Sequence, residues 1–496
     1  MSKLNQALLK TNYILGFVLI INILSHLPFV NQGPRSVHVW RQSNTLAVAR
    51  NFHREEMNIL KPRVDRRLDT NGVTGMQFPS YEYLLAILYK IFGEHNSLHR
   101  LLSLLISSWG IIGMYFLTKF LLKNELAAAF SAAAYAFSPD LFYFGFSALP
   151  DILALACSVW GLYFFLSWFL QKPKPHFYLA ALSLLILAGL TKIQFLAVGF
   201  FIAPLIFMYA DVSRSRIFSL LTFGLLATAV PIAWYIYSVH LIETSGLRDF
   251  GIAFRPLNDF SLAVQTISKN LISDLPDILL NYASFLLFIS AIYFFFKNKF
   301  WSSKWFMPML CYTIALIAYH IIELNQMGVH SYYMMPYLPL LFLMIAYAVR
   351  SMQKFNWSSN LILFLLILEP ILAAARILPS RFLKEDPGIP MALYNEDKRK
   401  ILVNASPENE LCIVGPDVSG CIYFYHLEKK GFGFDNSEDL LAAYNNEQSR
   451  LENYISRGAK FLYTNDTALI HRPEIQKLFT LESSVDDFRV LKLKSH

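Results

Sequence analysis

The stretch NQGPRSVHVWRQSNTLAVARNFHREEMNILKPRVDRRLDTNGVTGMQFPSYEYLLAILYKIFGEHNSLH, residues 31–99, separates the first strongly apolar segment of the chain from the second. Its flanks are hydrocarbon-like, whereas the stretch itself is crowded with Arg, His, Asp, Glu and aromatic side chains. A loop of this length between packed elements is either functional or disordered, and amphipathic spacing inside it argues for function. In TLAVARNFHREEM, the residues Leu46, Val48, Ala49, Phe52 and Met57 recur at helical spacing. FPSYEYLLAILYKIFG reads as a second helix, with Pro79 at its start and Gly93 at its end. Both helices are expected to lie in a membrane interface; the plainer reading is that they seal the top of a helical bundle.

The rest of the chain explains why a membrane enters this reading. Of 496 residues, 55% are hydrophobic and 15% aromatic, and the mean hydropathy of +0.40 is too high for a soluble globular protein of this length. About 20 apolar residues cross roughly 30 Å of hydrocarbon as a helix. Apolar runs begin near residues 12, 100, 125, 149, 177, 195, 217, 277, 305, 332 and 357, which predicts an α-helical polytopic membrane protein with about eleven spans.

Lys and Arg in short loops stay on the cytoplasmic side. Placing Lys3 and Lys10 inside brings Lys119 and Lys123, Lys172 and Lys174, Arg214 and Arg216, Lys297, Lys299 and Lys304, and Arg350 and Lys354 into register on that side. Residues 31–99, 138–151, 240–276, 323–331 and the C-terminal region then lie outside. The outer loop 31–99 breaks the rule with Arg35, Arg41, Arg50, Arg54, Lys61, Arg63, Arg66 and Arg67. Such charge points either to an anionic partner, a phosphate or lipid head group, or to pairing with Glu55, Glu56, Asp65 and Asp69. The net charge of +8 is therefore mainly a topology signal. No aromatic-studded basic domain argues for nucleic acid. The first apolar run lacks a small-residue cleavage site and reads as a retained span.

Composition changes near Ala374. LPSRFLKEDPGIP is a polar linker, and the segment after it alternates strand and helix signals. ELCIVGPD and AKFLYTND read as strands, CIYFYHLEKKG as helix or strand, SEDLLAAYNNEQSRLENYISRG as one helix capped by Asn436 or Ser437, PEIQKLF as a short helix and FRVLKLK as a last strand. The expected domains are thus 1–375, membrane-embedded and including the outer loop, and 376–496, a small extracytoplasmic α/β domain. Cys412 and Cys421 fall in the latter and can be a disulfide or two free thiols. Cys157 and Cys311 read as buried apolar thiols.

Arg41 and Gln42 open the first loop helix, and Gln77, Tyr81 and Glu82 stand at the start of the second. Two helix N-termini together favour an anion. The sequence ARNF, the Pro-aromatic helix FPSYEYLLAILYKIFG, LHRLLSLL entering the next span, SALPDILALACSVWG with Asp151, LAGLTKIQF with Thr191 and Lys192, and HSYYMMPYLPLLFL with His330, Tyr332, Tyr333, Pro336 and Pro339 follow in order. This order resembles membrane glycosyltransferases of the GT-C fold, in the group containing protein O-mannosyltransferases and the bacterial lipid A aminoarabinose transferase. The resemblance covers residues 1–375.

The resemblance implies transfer of a sugar from a polyprenyl-phosphate carrier to a glycan, lipid or protein acceptor outside the cytoplasm, usually with inversion, in a bacterial cytoplasmic membrane. Such a reaction needs a general base for the acceptor and cations for the departing phosphate. Lys192 fits the phosphate, assisted by Arg41 and His330, although snorkelling is the common role of a lysine at a span end. Trp40, Gln42, Gln77, Tyr81, Glu82, Tyr332 and Tyr333 are the expected substrate contacts, and Trp40 reads equally as an interfacial anchor. In the family an Asp-Glu pair opens the first loop helix and supplies the base; Arg41 and Gln42 occupy that place here. The acidic-Lys-Pro-Pro segment is replaced by Gln77, Phe78, Pro79 and Ser80. Substitutes are sought in Asp65, Asp69, Glu82 and Asp151, with Asp65 and Asp151 favoured as catalytic residues by position.

Two other classes stay open. A lipid-carrier flippase or transporter would show paired repeats and matching broken helices, which the sequence lacks. A silent scaffold of an envelope assembly is consistent with the missing acidic pair. No cofactor is indicated, and a divalent cation is left open because no carboxylates stand at a spacing that requires one.

Overall fold

The computed structural model describes residues 11–171, 173–208, 214–247, 255–355, 358–384, 386, 389–444 and 448–494. Lys3, Lys10 and Lys172, used above for orientation, lie outside the described residues. The chain forms two compact units: Met1–Asn31 with Ser97–Ile236 and Ile252–Leu383, and Gln32–Asn96 with Tyr237–Gly251 and Lys384–His496. This division differs from a linear boundary at residue 375, because the outer loop compacts with the C-terminal segment.

Each expected apolar segment of the first unit is helical. Asn96–Leu122, Asp151–Leu170, Arg216–Ser245, Ser331–Met352 and Ser358–Phe382 are long and apolar enough to cross a membrane. Tyr13–Phe29, Glu125–Phe137, Pro175–Thr191, Ile193–Met208, Tyr282–Lys297 and Phe306–Ile322 are shorter apolar helices of 10–17 residues. The segment expected near 277 begins at Tyr282, after a wide turn over Asn270–Leu279 that contains Pro276. Asn281 caps the new helix by accepting from the Ala283 and Ser284 amides, both at 3.0 Å.

Small residues set the packing, since helices in an apolar medium associate by close approach. The Ala-rich Glu125–Phe137 helix is buried from Ala127 onward and packs on Leu338–Met352. Asp151–Leu170 packs on Pro175–Thr191, where a Cβ on Gly161 would come within 2.7 Å of Leu185. Glu369, fully buried in the Ser358–Ile377 helix, accepts from Ser284 Oγ at 2.5 Å and from Asn281 Nδ2. A carboxyl in this setting persists because both its oxygens have donors.

The second unit is built on a five-stranded sheet. With β1 Leu411–Val414, β2 Lys430–Gly433, β3 Phe461–Thr464, β4 Phe479–Val485 and β5 Phe488–Leu493, the order is β2-β1-β3-β5-β4. The β1 pairings to β2 and β3 are parallel, and β5 runs antiparallel to β3 and β4. The outer loop covers the β2 edge: Gly431 N–H donates to Asp65 O at 3.1 Å, while Arg67 and Leu68 N–H groups donate to Gly431 O at 3.1 and 2.9 Å. An open strand edge is thereby closed by the chain itself.

Two expectations change here. The Val39–Arg54 helix is buried continuously from Arg41 to Phe52 and packs between Ser80–Phe92 and Ile422–Leu427, so it is a core helix rather than an interfacial one. The Ser80–Phe92 helix keeps an exposed apolar face, with Leu84, Ile87 and Ile91 at helical spacing. The 437–458 stretch is not one helix. Asn436 caps Ser437–Leu441, a short ribbon joins 443–444 to 448–449, and a capping box between Ser449 and Glu452 starts Arg450–Ser456. Two competing start signals break the run.

Gly75 sits where a Cβ would come within 1.8 Å of the Ser238 carbonyl oxygen, and Ser238 Oγ donates to Met76 O at 2.9 Å. Gly75→Ala is expected to destabilise the protein by about 3 kcal/mol, read as a lower thermal unfolding midpoint in detergent. Gly16→Ala, with nothing within 4 Å of the added carbon, should leave that midpoint unchanged or raise it.

Candidate functional site

In the first unit, the Pro175–Thr191 helix ends on an extended residue, Lys192, whose backbone N–H still donates to Ala188 O at 2.8 Å. The ammonium group stands at a helix C-terminus, where the dipole favours it. Its Nζ lies 3.7 Å from Asp151 Oδ1 and 5.7 Å from the Tyr333 ring centroid. Asp151 opens the Asp151–Leu170 helix after Pro150 and is completely buried. The two residues expected from opposite ends of adjacent helices thus meet.

His330 precedes the Ser331–Tyr337 turn, and its ring stacks on Tyr332 and Tyr333 at 5.4 and 5.9 Å. Burial, reinforced by the positive charges of Arg255 and Lys192, holds the imidazole down to about 4. At pH 7 it is neutral, so the expectation that it adds a second cation is corrected: it can meet a phosphate only through a hydrogen bond.

Two neighbours escaped the sequence reading. Arg255 N–H donates to Ile322 O and Arg255 O accepts from Asn325 N–H, both at 3.2 Å, so its backbone clasps the turn that carries Glu323. Burial raises the Glu323 carboxyl, and the charges of Arg255 and Lys192 pull it back. Neither residue lies in a motif, so only the chain reversal that joins the two loops could have drawn attention to them.

The same unit holds an apolar cavity of about 470 Å³, lined by Phe201, Phe295, Trp305, Met309 and Leu340 among others. Its polar lining includes Asn270, His320 and Tyr337, with His320 Nδ1 2.9 Å from Tyr337 Oη. Tyr337 belongs to the turn that also carries Tyr332 and Tyr333.

In the second unit, Trp40, Arg41 and Gln42 form the first turn of the Val39–Arg54 helix. Gln42 Nε2 donates to the carbonyls of Arg35 and Val37 at 3.1 and 3.2 Å, which folds the preceding loop onto the helix. Trp40 packs on the α/β core, and its carbonyl accepts from Cys421 Sγ at 3.2 Å. Tyr81 and Glu82 are fully buried, and Gln77 Nε2 donates to Glu82 Oε1 at 3.4 Å. Cys412 and Cys421 are free thiols.

Asp65 is engaged on both oxygens, by Arg50 Nη2 at 2.7 Å and Asn51 Nδ2 at 2.8 Å. Arg50 also donates to Tyr425 O at 2.8 Å. With 3% of its surface exposed, Asp65 is a structural counter-ion, which corrects its expected place as a catalytic base. Asp69 is likewise paired, with Arg457. Among the described residues, no three His, Cys, Asp or Glu side chains gather into a metal-ligand set.

Residues 77–235 match a family model described as dolichyl-phosphate-mannose-protein mannosyltransferase. No curated protein matches the chain. Among solved structures, ArnT from Cupriavidus metallidurans in the apo state is similar with a TM-score of 0.62 at 11% identity, covering 97% of each chain. The same protein bound to undecaprenyl phosphate gives a TM-score of 0.64 at 12% identity, again over 97% of each. The apo oligosaccharyltransferase of Archaeoglobus fulgidus gives a TM-score of 0.53 at 14% identity over 92% of this chain and 69% of that one. The chain has the GT-C fold and resembles the group that its ordered motifs suggested.

Asp65→Ala leaves Arg50 charged and buried without its partner. The expected loss is roughly 3–5 kcal/mol of stability, measured by thermal unfolding in nanodiscs. An unchanged midpoint would return Asp65 to the list of chemical candidates.

Proposed function

We propose that this chain is a membrane glycosyltransferase that moves a sugar from a polyprenyl-phosphate carrier to an acceptor outside the cytoplasm. The observation that carries this reading is the Lys192–Asp151 pair beside a tyrosine-rich turn whose Tyr337 lines an apolar cavity of about 470 Å³, in one unit of a GT-C fold. The cavity's size falls within the roughly 300–1,000 Å³ of small-molecule sites, and its hydrocarbon lining suits a polyprenyl tail. The undecaprenyl phosphate bound to the similar ArnT supports that carrier class.

The chemistry follows from the charges. The carrier phosphate gains negative charge as its bond to the sugar breaks, and Lys192 meets that charge in a setting with little water to screen it. Asp151 has no exposed surface, so it acts through Lys192 by holding the ammonium in place. Attack from the face opposite the phosphate inverts the anomeric centre. The second unit then lies on the outer face of a bacterial cytoplasmic membrane, and the buried Tyr81 and Glu82 hold the start of the second loop helix in place.

Arg41 and Gln42 in place of an acidic pair favour one alternative, a carrier-binding scaffold without turnover. The test is transfer of radiolabel from a panel of polyprenyl-phosphate sugars to an envelope extract by protein in nanodiscs. Transfer by the wild type supports the enzyme, and carrier binding without transfer supports the scaffold. Lys192→Ala is expected to weaken undecaprenyl phosphate binding by at least about tenfold, the loss of one charge-assisted hydrogen bond. Asp151→Asn should lower turnover more than binding.

A further inference from the structure

We propose that Glu323 is the general base that accepts the proton of the acceptor hydroxyl, an assignment that rests on the glycosyltransferase reading above. The four carboxylates that the sequence offers as substitutes are all unsuited. Asp65 is held by Arg50 and Asn51, Asp69 is paired with Arg457, and Glu82 and Asp151 have no exposed surface. A base must reach a proton on a bound hydroxyl, so a carboxylate sealed from the site cannot serve.

Glu323 meets the requirement. It is half-buried, and among the described residues no hydrogen bond or ion pair engages its carboxylate. Its backbone is fixed on both sides. Glu323 N–H donates to Tyr319 O at 3.0 Å, its carbonyl accepts from Gln326 and Met327 N–H at 2.9 and 3.1 Å, and Arg255 brackets the turn at Ile322 and Asn325. A rigid main chain carrying an unengaged side chain is what positions a reacting group.

Its surroundings also fit. Glu323 closes the Phe306–Ile322 helix three residues after His320, which lines the apolar cavity. Residues three apart share a helix face, so the carboxylate stands at the end of the helix that borders the cavity. Arg255 and Lys192 act on the carboxylate, Tyr319 one helical turn back interacts with it, and the same two cations act on His330. Burial raises the carboxyl above the ordinary glutamate value, against the pull of Arg255 and Lys192, and a raised carboxyl is the stronger base.

The step balances. The acceptor oxygen forms its bond to the anomeric carbon as its proton passes to Glu323. The bond from that carbon to the phosphate oxygen breaks, and its electron pair leaves with the phosphate, beside Lys192. Glu323 then returns its proton to water.

The test compares wild type, Glu323→Gln and Glu323→Asp in nanodiscs, measuring undecaprenyl phosphate binding and sugar transfer to an envelope extract across pH. Glu323→Gln should bind the carrier within about twofold of wild type, which shows that it is folded. It should transfer at least about 100-fold more slowly and lose the fall in rate toward acid pH. Glu323→Asp should recover part of the rate and that pH dependence. Transfer by Glu323→Gln equal to wild type would overturn the base while leaving the transferase reading intact. Loss of transfer together with carrier binding in both variants would also overturn it, in favour of a structural role. No transfer by the wild type would overturn the transferase reading, and the base with it.

Discussion

A charged lysine, largely buried at the end of a helix, is the constraint around which the first unit is organised. Removing an ammonium from water is expensive, and the carboxylate of Asp151 at 3.7 Å offsets that penalty by on the order of 4 kcal/mol at an effective dielectric of 20. The offset needs two helices to present opposite charges at one level. That fixes where Pro175–Thr191 must stop and Asp151–Leu170 must start. Gly161 provides the close approach between them, because any side chain there would strike Leu185. The same cation acts on His330 and Glu323, so the ionisation of the turn between residues 323 and 333 depends on a pair formed elsewhere in the bundle.

The second unit solves a related problem differently. Its basic loop neutralises charge locally: buried Arg50 with Asp65 and Arg67 with a Glu55 that also pairs Lys430, and, at the surface, Arg54 with Glu94, Glu408 and Glu428. Of the two readings of that positive loop, internal pairing accounts for these residues. An anion is left to the helix starts and to the first unit.

Much of the fold was legible because apolar runs report their own burial. The Asp151 and Lys192 positions stood out as charges at the margins of such runs, and the strands ELCIVGPD, AKFLYTND and FRVLKLK as compact apolar blocks. Other features carry no such mark. FTLESSV is a strand whose middle residues face solvent, with only Phe479 and Val485 buried, so it lacks the apolar block of its neighbours. Asp65 reads both as an ion-pair partner of the loop and as a candidate base, and sequence does not choose between the two because Arg50 and Asn51, which occupy it, are ordinary polar residues of a helix. Arg255 is joined to the turn that carries Glu323 through backbone groups of Ile322 and Asn325, of a kind that every residue possesses. The partnership of the outer loop with the C-terminal segment has the same cause, since it runs through the amides and carbonyls of Gly431, Asp65, Arg67 and Leu68.

That edge pairing has a consequence for how the protein is made. The loop around Asp65 leaves the ribosome well before the strand around Gly431, more than 350 residues later in the chain. Until then the backbone groups of Asp65, Arg67 and Leu68 lack the partners they find in Gly431, and intervening apolar segments must be delivered to the bilayer first. Closing such a distant contact is slow in entropic terms. The later segment therefore acts as the template on which the earlier loop is completed, and translation order sets when the second unit can exist at all.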